Sequence, residues 1–187
     1  MIPSVPGVYA WFYPLYISRD QTLDAVLKEL SAVHLYDAST EGRPRFDATT
    51  DFGWSEIQWV AEIVNRPLPD AGESGNLREI WQEVSQDDIK FDQLERSLLR
   101  ASILMPPLYI GKTRNLAARY NSHITDPRSG TFHSRFVSHA KKQKLRQKEV
   151  RDLLFVTLRT QDKGHDIEED LVEGILKLVS RPPYGKR

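Results

Sequence analysis

The residues richest in chemistry lie in one stretch, Pro107-Leu-Tyr-Ile-Gly-Lys-Thr-Arg-Asn-Leu-Ala-Ala-Arg-Tyr-Asn-Ser-His123. A short apolar strand, Leu108-Tyr109-Ile110, would carry a tyrosine hydroxyl to its end, where Gly111 would let the backbone turn sharply. Arg119 and His123 stand four residues apart and so share one face of the helix expected to follow. Lys112 would sit beside the turn. Tyrosine, lysine, arginine and histidine on one spot suit phosphodiester chemistry. They supply a candidate base, cations that lower its pKa and a planar fork for phosphate oxygens.

The rest of the chain must position these groups. Residues 7–13, Gly-Val-Tyr-Ala-Trp-Phe-Tyr, are aromatic and β-branched and follow Pro6, which predicts a strand. From Asp20 to about Leu104 the pattern is helical. Thr22 is placed to cap a helix with Leu23, Val26, Leu27 and Leu30 on one face. Residues 37–53 are turn-rich and polar, a predicted loop. Ser55 would cap a helix with Ile57, Val60, Ala61 and Val64, stopped by Pro67, and a second loop follows from Pro69. Further helices are expected over 76–86 and 91–104. Beyond the central stretch, the spacing predicts helices over 116–123 and 132–147. A strand is expected at Leu153-Leu-Phe-Val-Thr-Leu, and an amphipathic helix from Ile167 to Val179, closed by Pro182-Pro183.

Composition excludes several classes. The 187 residues include no cysteine, which removes disulfide scaffolds, thiolate metal centres and a cysteine nucleophile. It also fits a reducing compartment. Apolar runs are broken by charge within a few residues, so no membrane span is expected. The N-terminus has neither a basic n-region nor an apolar h-region, so no signal peptide is expected either, and the reading is a cytoplasmic protein.

The net charge of zero conceals a division. Residues 1–106 hold 9 Lys+Arg and 17 Asp+Glu, a net charge of −8, whereas residues 107–187 hold 17 and 9, a net charge of +8. Within 112–148, ten basic residues accompany a single acidic one, Asp126. This asymmetry points to a polyanionic partner for the basic half.

Gly7-Val-Tyr9 together with Tyr109-Ile-Gly111 resembles the paired signature of the GIY-YIG endonuclease superfamily. The likeness continues: the family pattern YIGKxxNLxxR stands here as Tyr109 to Arg119. His123 falls where restriction and homing members often carry a histidine. The family also places a metal-binding glutamate on a late helix ahead of a proline, as Glu173 stands ahead of Pro182. The resemblance covers roughly residues 5–14 and 106–187. It implies an α/β (α+β) fold, a small, mainly antiparallel three-stranded sheet flanked by helices. A large, mostly helical insertion would lie between the first two strands. The nuclease domain would then comprise 1–19 and 105–187, and the acidic insertion 20–104.

What the resemblance implies for function is hydrolysis of DNA phosphodiesters around one divalent metal. Glu173 would hold Mg2+ (or Mn2+), as oxygen ligation favours these ions over zinc. Tyr9 would orient or deprotonate the attacking water, with Tyr109 and Lys112 shaping its hydrogen bonds. Arg119 would clamp the scissile phosphate, and His123 would serve as hydrogen-bond partner or proton carrier. Two departures stand out. Tyr9 and Tyr109 are a hundred residues apart, whereas in the family they lie close together. The separation is tolerable because loop closure costs only about 0.6 kcal/mol per doubling of length. And Gly185 stands where the family often has an asparagine, with Tyr184 and Lys186 as neighbours able to replace it.

Other residues carry broader readings. Arg114, Arg128, Arg135, Lys141, Lys142 and Lys144, with Arg146 and Lys148, are candidate phosphate contacts that position a nucleic acid rather than read its sequence. His123, His133 and His139 lack the i,i+4 geometry of a helical zinc site, and DNA contact or plain surface suits them better. Trp54, Trp59 and Trp81 read as core of the insertion. The acidic insertion suits target recognition, a homodimer interface, a protein partner or a lid, but not flat contact with a phosphate backbone. RNA and branched DNA remain open as substrates. So does a module of the same fold that binds nucleic acid or protein without cleaving.

Overall fold

In the computed structural model, residues 2–34, 76–128, 131–160, 166–180 and 182–184 are described. The predicted loop over 37–53 and the helix expected after Ser55 lie outside them, as do Gly185 and Lys186. Three strands form one antiparallel sheet: β1 (Gly7–Phe12), β2 (Tyr109–Thr113) and β3 (Leu154–Arg159), in the order β2-β1-β3. The described helices are α1 (Leu23–His34), α2 (Leu77–Gln86), α3 (Asp88–Ala101), α4 (Leu116–Thr125), α5 (Phe132–Gln143) and α6 (Asp166–Ser180). The fold is therefore α+β, with the helical stretch between β1 and β2. Among the described residues no helix is long and apolar enough to cross a membrane.

The chain divides into two compact units, Met1–Tyr16 with Ser97–Arg187, and Ile17–Arg96. The sheet belongs to the first. In the second, Thr22 caps α1 as expected, its hydroxyl accepting from Ala25 N at 3.2 Å. Trp81 is half-buried and donates its indole N–H to the Gln21 carbonyl at 3.1 Å. Phe91 and Val33 are buried, and the Arg19 guanidinium lies over the Phe91 ring at 5.2 Å while also pairing with Asp88.

Strand alternation separates the sheet into two faces. Tyr9 is registered with Gly111 and Thr157, and Trp11 with Tyr109 and Phe155. This aromatic face packs on α4 and α5: Trp11 stacks on Tyr120 at 5.6 Å and meets Phe132 at 5.8 Å. The other face carries Val8, Ile110 and Lys112, and α6 packs against β2 and β1. On that face Val156 and Leu158 of β3 remain exposed.

Gly111 departs from expectation. It lies inside β2, which runs on to Thr113, and makes no turn. Its lack of a side chain serves close approach instead: a Cβ there would lie 2.6 Å from Tyr9 Cζ. Helix α5 also ends earlier than expected, at Gln143, because Lys144 adopts the left-handed conformation with φ 55°.

Candidate active site

Asn115 starts α4 as its N-cap, the side chain accepting from Ala118 N at 2.9 Å. Backbone bonds from Leu116 N to the Val5 carbonyl and from Ala117 N to the Pro3 carbonyl tie that first turn to the N-terminus. With the start fixed, Arg119 and His123 follow on one side, over the aromatic face of the sheet. Arg119 Nε donates to the Tyr9 hydroxyl at 3.0 Å, and that hydroxyl lies 2.8 Å from His123 Nε2. The guanidinium can only donate, so the phenol oxygen accepts from Arg119, and in one histidine tautomer the tyrosine proton is directed at His123 Nε2. The histidine then carries its own proton on Nδ1. The Tyr109 ring lies 6.1 Å from that of Tyr9 and 5.3 Å from that of His123.

Electrostatics fixes the protonation states. Burial raises the Tyr9 pKa well above its ordinary value, and Tyr109 adds to the rise against the opposing Arg119 bond. Tyr9 is thus a neutral phenol, not a phenolate waiting for a proton. Burial lowers His123 to about 3, assisted by the Arg119 charge, so its imidazole is neutral at neutral pH.

Beside this cluster opens a cleft of about 270 Å³. Tyr109, Arg119 and His123 line one side, and Arg128, Thr131, His133 and Arg135 line the other, with Ser122, Asp126 and Phe132 completing the wall. Thr131 is the N-cap of α5, accepting from Ser134 N at 3.2 Å. His133 donates from Nδ1 to the His123 carbonyl at 3.0 Å, which fixes its ring across the cleft from α4. Asp126 and Arg128 form a two-pronged pair, with bonds of 2.8 and 2.6 Å. That pair holds the Asp126 carboxyl at about 2. The cleft therefore concentrates cations and can receive an anion with a planar arginine fork already pinned by Tyr9.

The structure brings together Tyr9, Tyr109, Arg119 and His123, and adds Arg128 and Arg135 from the set of basic residues. It does not bring Lys112 to the phenol. One residue on from Gly111, Lys112 points to the opposite face and pairs with Asp170 of α6. Glu173 lies one turn after Asp170 on that same helix, paired with Lys177 Nζ at 2.8 Å, and it does not line the cleft. Arg114, Lys141, Lys142 and Lys144 are exposed outside the cleft. Tyr184, considered as a replacement for the family asparagine, is fully buried against Phe132 and Phe136, with its hydroxyl on His139 Nδ1. It is core, not site. Asp126 and Thr131 carry no site reading in the sequence, and His133 is read there as DNA contact or plain surface. The signal available was the Asp126-to-Thr131 connection between two helices whose inward faces both carry histidine.

The carboxylate chemistry bears on the metal. Mg2+ is commonly held by one or two carboxylates, with water and substrate phosphate filling the other positions. Glu173, a mostly shielded carboxylate on a helix packed against the sheet, suits that mode once Lys177 releases it. Among the described residues no group of three His, Asp or Glu side chains offers an all-protein metal cage.

No protein-family model matches the chain, and no curated protein or solved structure matches it significantly.

Proposed function

We propose that this chain is an endonuclease of GIY-YIG type that hydrolyses DNA phosphodiester bonds with the help of one divalent metal ion, Mg2+ or Mn2+. The observation that carries the reading is the buried Arg119–Tyr9–His123 hydrogen-bonded relay opening beside a cation-lined cleft. Groups with strongly shifted protonation gathered beside a cleft are the pattern expected of a functional site.

In this reading the remaining N–H groups of Arg119 hold oxygens of the scissile phosphate and stabilise the charge that grows on them. Tyr9, held neutral, relays a proton: as the attacking water loses one to the phenol oxygen, the phenol passes its own to His123 Nε2. The water oxygen bonds to phosphorus, the P–O bond to the bridging oxygen breaks, and that oxygen leaves with the bond pair and takes a proton from bulk water. Burial is the main cause that depresses His123, and phosphate in the cleft would offset the smaller share that comes from the Arg119 charge. Glu173 is the carboxylate that would hold the metal and through it supply positive charge to a phosphate; it lies on α6 outside the cleft, so the steps of the reaction rest on Arg119, Tyr9 and His123. Lys112, paired with Asp170, has a supporting place on the α6 side rather than a bond to the phenol. Absence of cysteine suits a cytoplasmic setting. Two copies of the chain, or a partner on the acidic insertion, would provide double-strand cutting.

A second reading is favoured by one observation: Glu173 is paired with Lys177 on the helix that packs against the Lys112 face. On that reading the chain binds nucleic acid without cleaving it. The deciding experiment is Mg2+-dependent cleavage of duplex, single-stranded and branched DNA and of RNA, with Glu173→Ala in parallel. A nuclease loses cleavage in the variant and keeps binding. A binding module shows no cleavage in either protein. Cleavage that survives Glu173→Ala removes the metal assignment.

A further inference from the structure

The geometry points to a second phosphate subsite, centred on Arg135 and sharing the cleft with Arg119, so that one strand is gripped through two of its phosphates. This deepens the nuclease reading and rests on it for the identity of the ligand.

Three arginines line the cleft, but their commitments differ. Arg128 is mostly exposed and doubly bonded to Asp126, so its charge is balanced within the chain. Arg119 has its Nε on the Tyr9 hydroxyl, which orients its outer edge. Arg135, on the first turns of α5, has neither kind of partner. Its Nε–H is shielded from solvent and donates to no acceptor among the described residues, nor does the guanidinium form an ion pair there. The carboxylate lining the cleft, Asp126, is already committed to Arg128. A guanidinium held in a concave site without a balancing carboxylate calls for an anion from outside. The N-terminal end of α5, a helix of 12 residues, adds positive potential on the same side.

The ligand chemistry follows from the pairing. Two planar forks, Arg119 and Arg135, open on one volume of about 270 Å³, which is at the small end of ligand sites. A single strand's sugar–phosphate segment fits such a volume; a duplex does not. The site would therefore prefer two linked phosphates over a lone phosphate monoester. This also separates Arg135 from the other basic residues of 112–148, most of which are exposed outside the cleft.

The test uses the full chain with Arg135→Gln and Arg135→Lys, pyrophosphate as the small probe and a DNA oligonucleotide as the large one. Pyrophosphate should raise the melting temperature of the wild type and of Arg135→Lys, in part, but not that of Arg135→Gln. In DNA binding, Arg135→Gln should flatten the slope of log K against log salt by about 0.9 for duplex or about 0.7 for a single strand. It should raise KM while leaving kcat within about threefold. A methylphosphonate beside the scissile phosphate should weaken the wild type and leave Arg135→Gln no weaker than before. An unchanged salt slope, or an equal penalty from the methylphosphonate in both proteins, overturns the subsite. If the wild type binds no DNA, pyrophosphate decides alone: protection lost in Arg135→Gln keeps the anion site while the nuclease reading falls, and equal protection overturns the site.

Discussion

Tyr9 and Gly111 face each other across β1 and β2, and the phenol ring fills the space that a side chain at 111 would require. The absence of a side chain at Gly111 thus admits the Tyr9 ring. Gly111→Ala should push the ring from the position where Arg119 and His123 meet it. Stability should fall by about 1–3 kcal/mol, the usual cost of overpacking, and cleavage should fall with it. Gly174 is the control, since a Cβ there meets nothing within 4 Å. Inside α6, Gly174→Ala should raise stability by up to about 1 kcal/mol. Urea unfolding of both variants, beside a cleavage assay, gives opposite signs if the packing argument is right.

Removing only the hydroxyl tests the relay more directly. Tyr9→Phe keeps the ring contacts with Phe155 and Tyr109 but strips Arg119 Nε and His123 Nε2 of their shared partner. Stability should fall by about 1–3 kcal/mol. Single-turnover cleavage should fall by about 100- to 10,000-fold, the range for a lost proton-transfer group. A variant within tenfold of wild type would place the proton path elsewhere.

How much of this was legible beforehand depends on the range of the forces involved. The strand at Tyr9, the Thr22 cap, the helix over 116–123 and the shared face of Arg119 and His123 follow from local patterns that the sequence shows. The sequence suggests a turn at Gly111 where the structure has a strand, because a glycine signals either freedom or closeness and only the partner strand decides which. The expectation that Lys112 sits with the tyrosines fails for the same reason: with Gly111 inside the strand, alternation sends Lys112 to the α6 side. The end of α5 at a left-handed lysine has no composition signal at all. Tyr184 and His139 meet across 45 residues, a tertiary contact that no spacing rule reaches.

Two buried histidines set the acid limb of stability. Burial lowers His123 to about 3 and His139 to about 4, from an ordinary 6.5, with Arg119 and Lys142 contributing in turn. Asp126, Arg135 and His133 also act on His123, the first opposing the shift. Because the folded values lie below the unfolded one, the unfolded chain binds more protons between them. Stability is therefore full above about pH 6.5 and is lost as pH falls toward 4 and then 3. Each histidine contributes a slope of at most about 1.4 kcal/mol per pH unit in that window. Unfolding free energy measured in urea from pH 7.5 to 4.5 should decline, and His139→Gln should make the decline shallower. Asp126, held at about 2 by Arg128, would add its loss as pH falls from 3.8 toward 2, below the pH 7.5 to 4.5 range of this measurement. A flat profile down to pH 4.5 would mean that neither imidazole is shielded as described.

The Glu173–Lys177 pair turns the metal assignment into a titration. The two residues sit at i and i+4 with the glutamate N-terminal, the favourable order on a helix. Such a pair is worth only about 0.3–0.5 kcal/mol, so Lys177→Gln should scarcely change the unfolding midpoint. Its effect on the carboxylate should be larger, because a cation binding at Glu173 must first displace the ammonium. If Glu173 carries the divalent ion, Lys177→Gln should lower the Mg2+ concentration for half-maximal cleavage several-fold, with the maximal rate little altered. The same shift should appear with Mn2+. An unchanged half-point, with Glu173→Ala still inactive, would make the glutamate a structural partner of α6. The search for the metal would then move to the cleft side of the sheet, where Asp126 would be freed by Arg128→Gln and tested the same way.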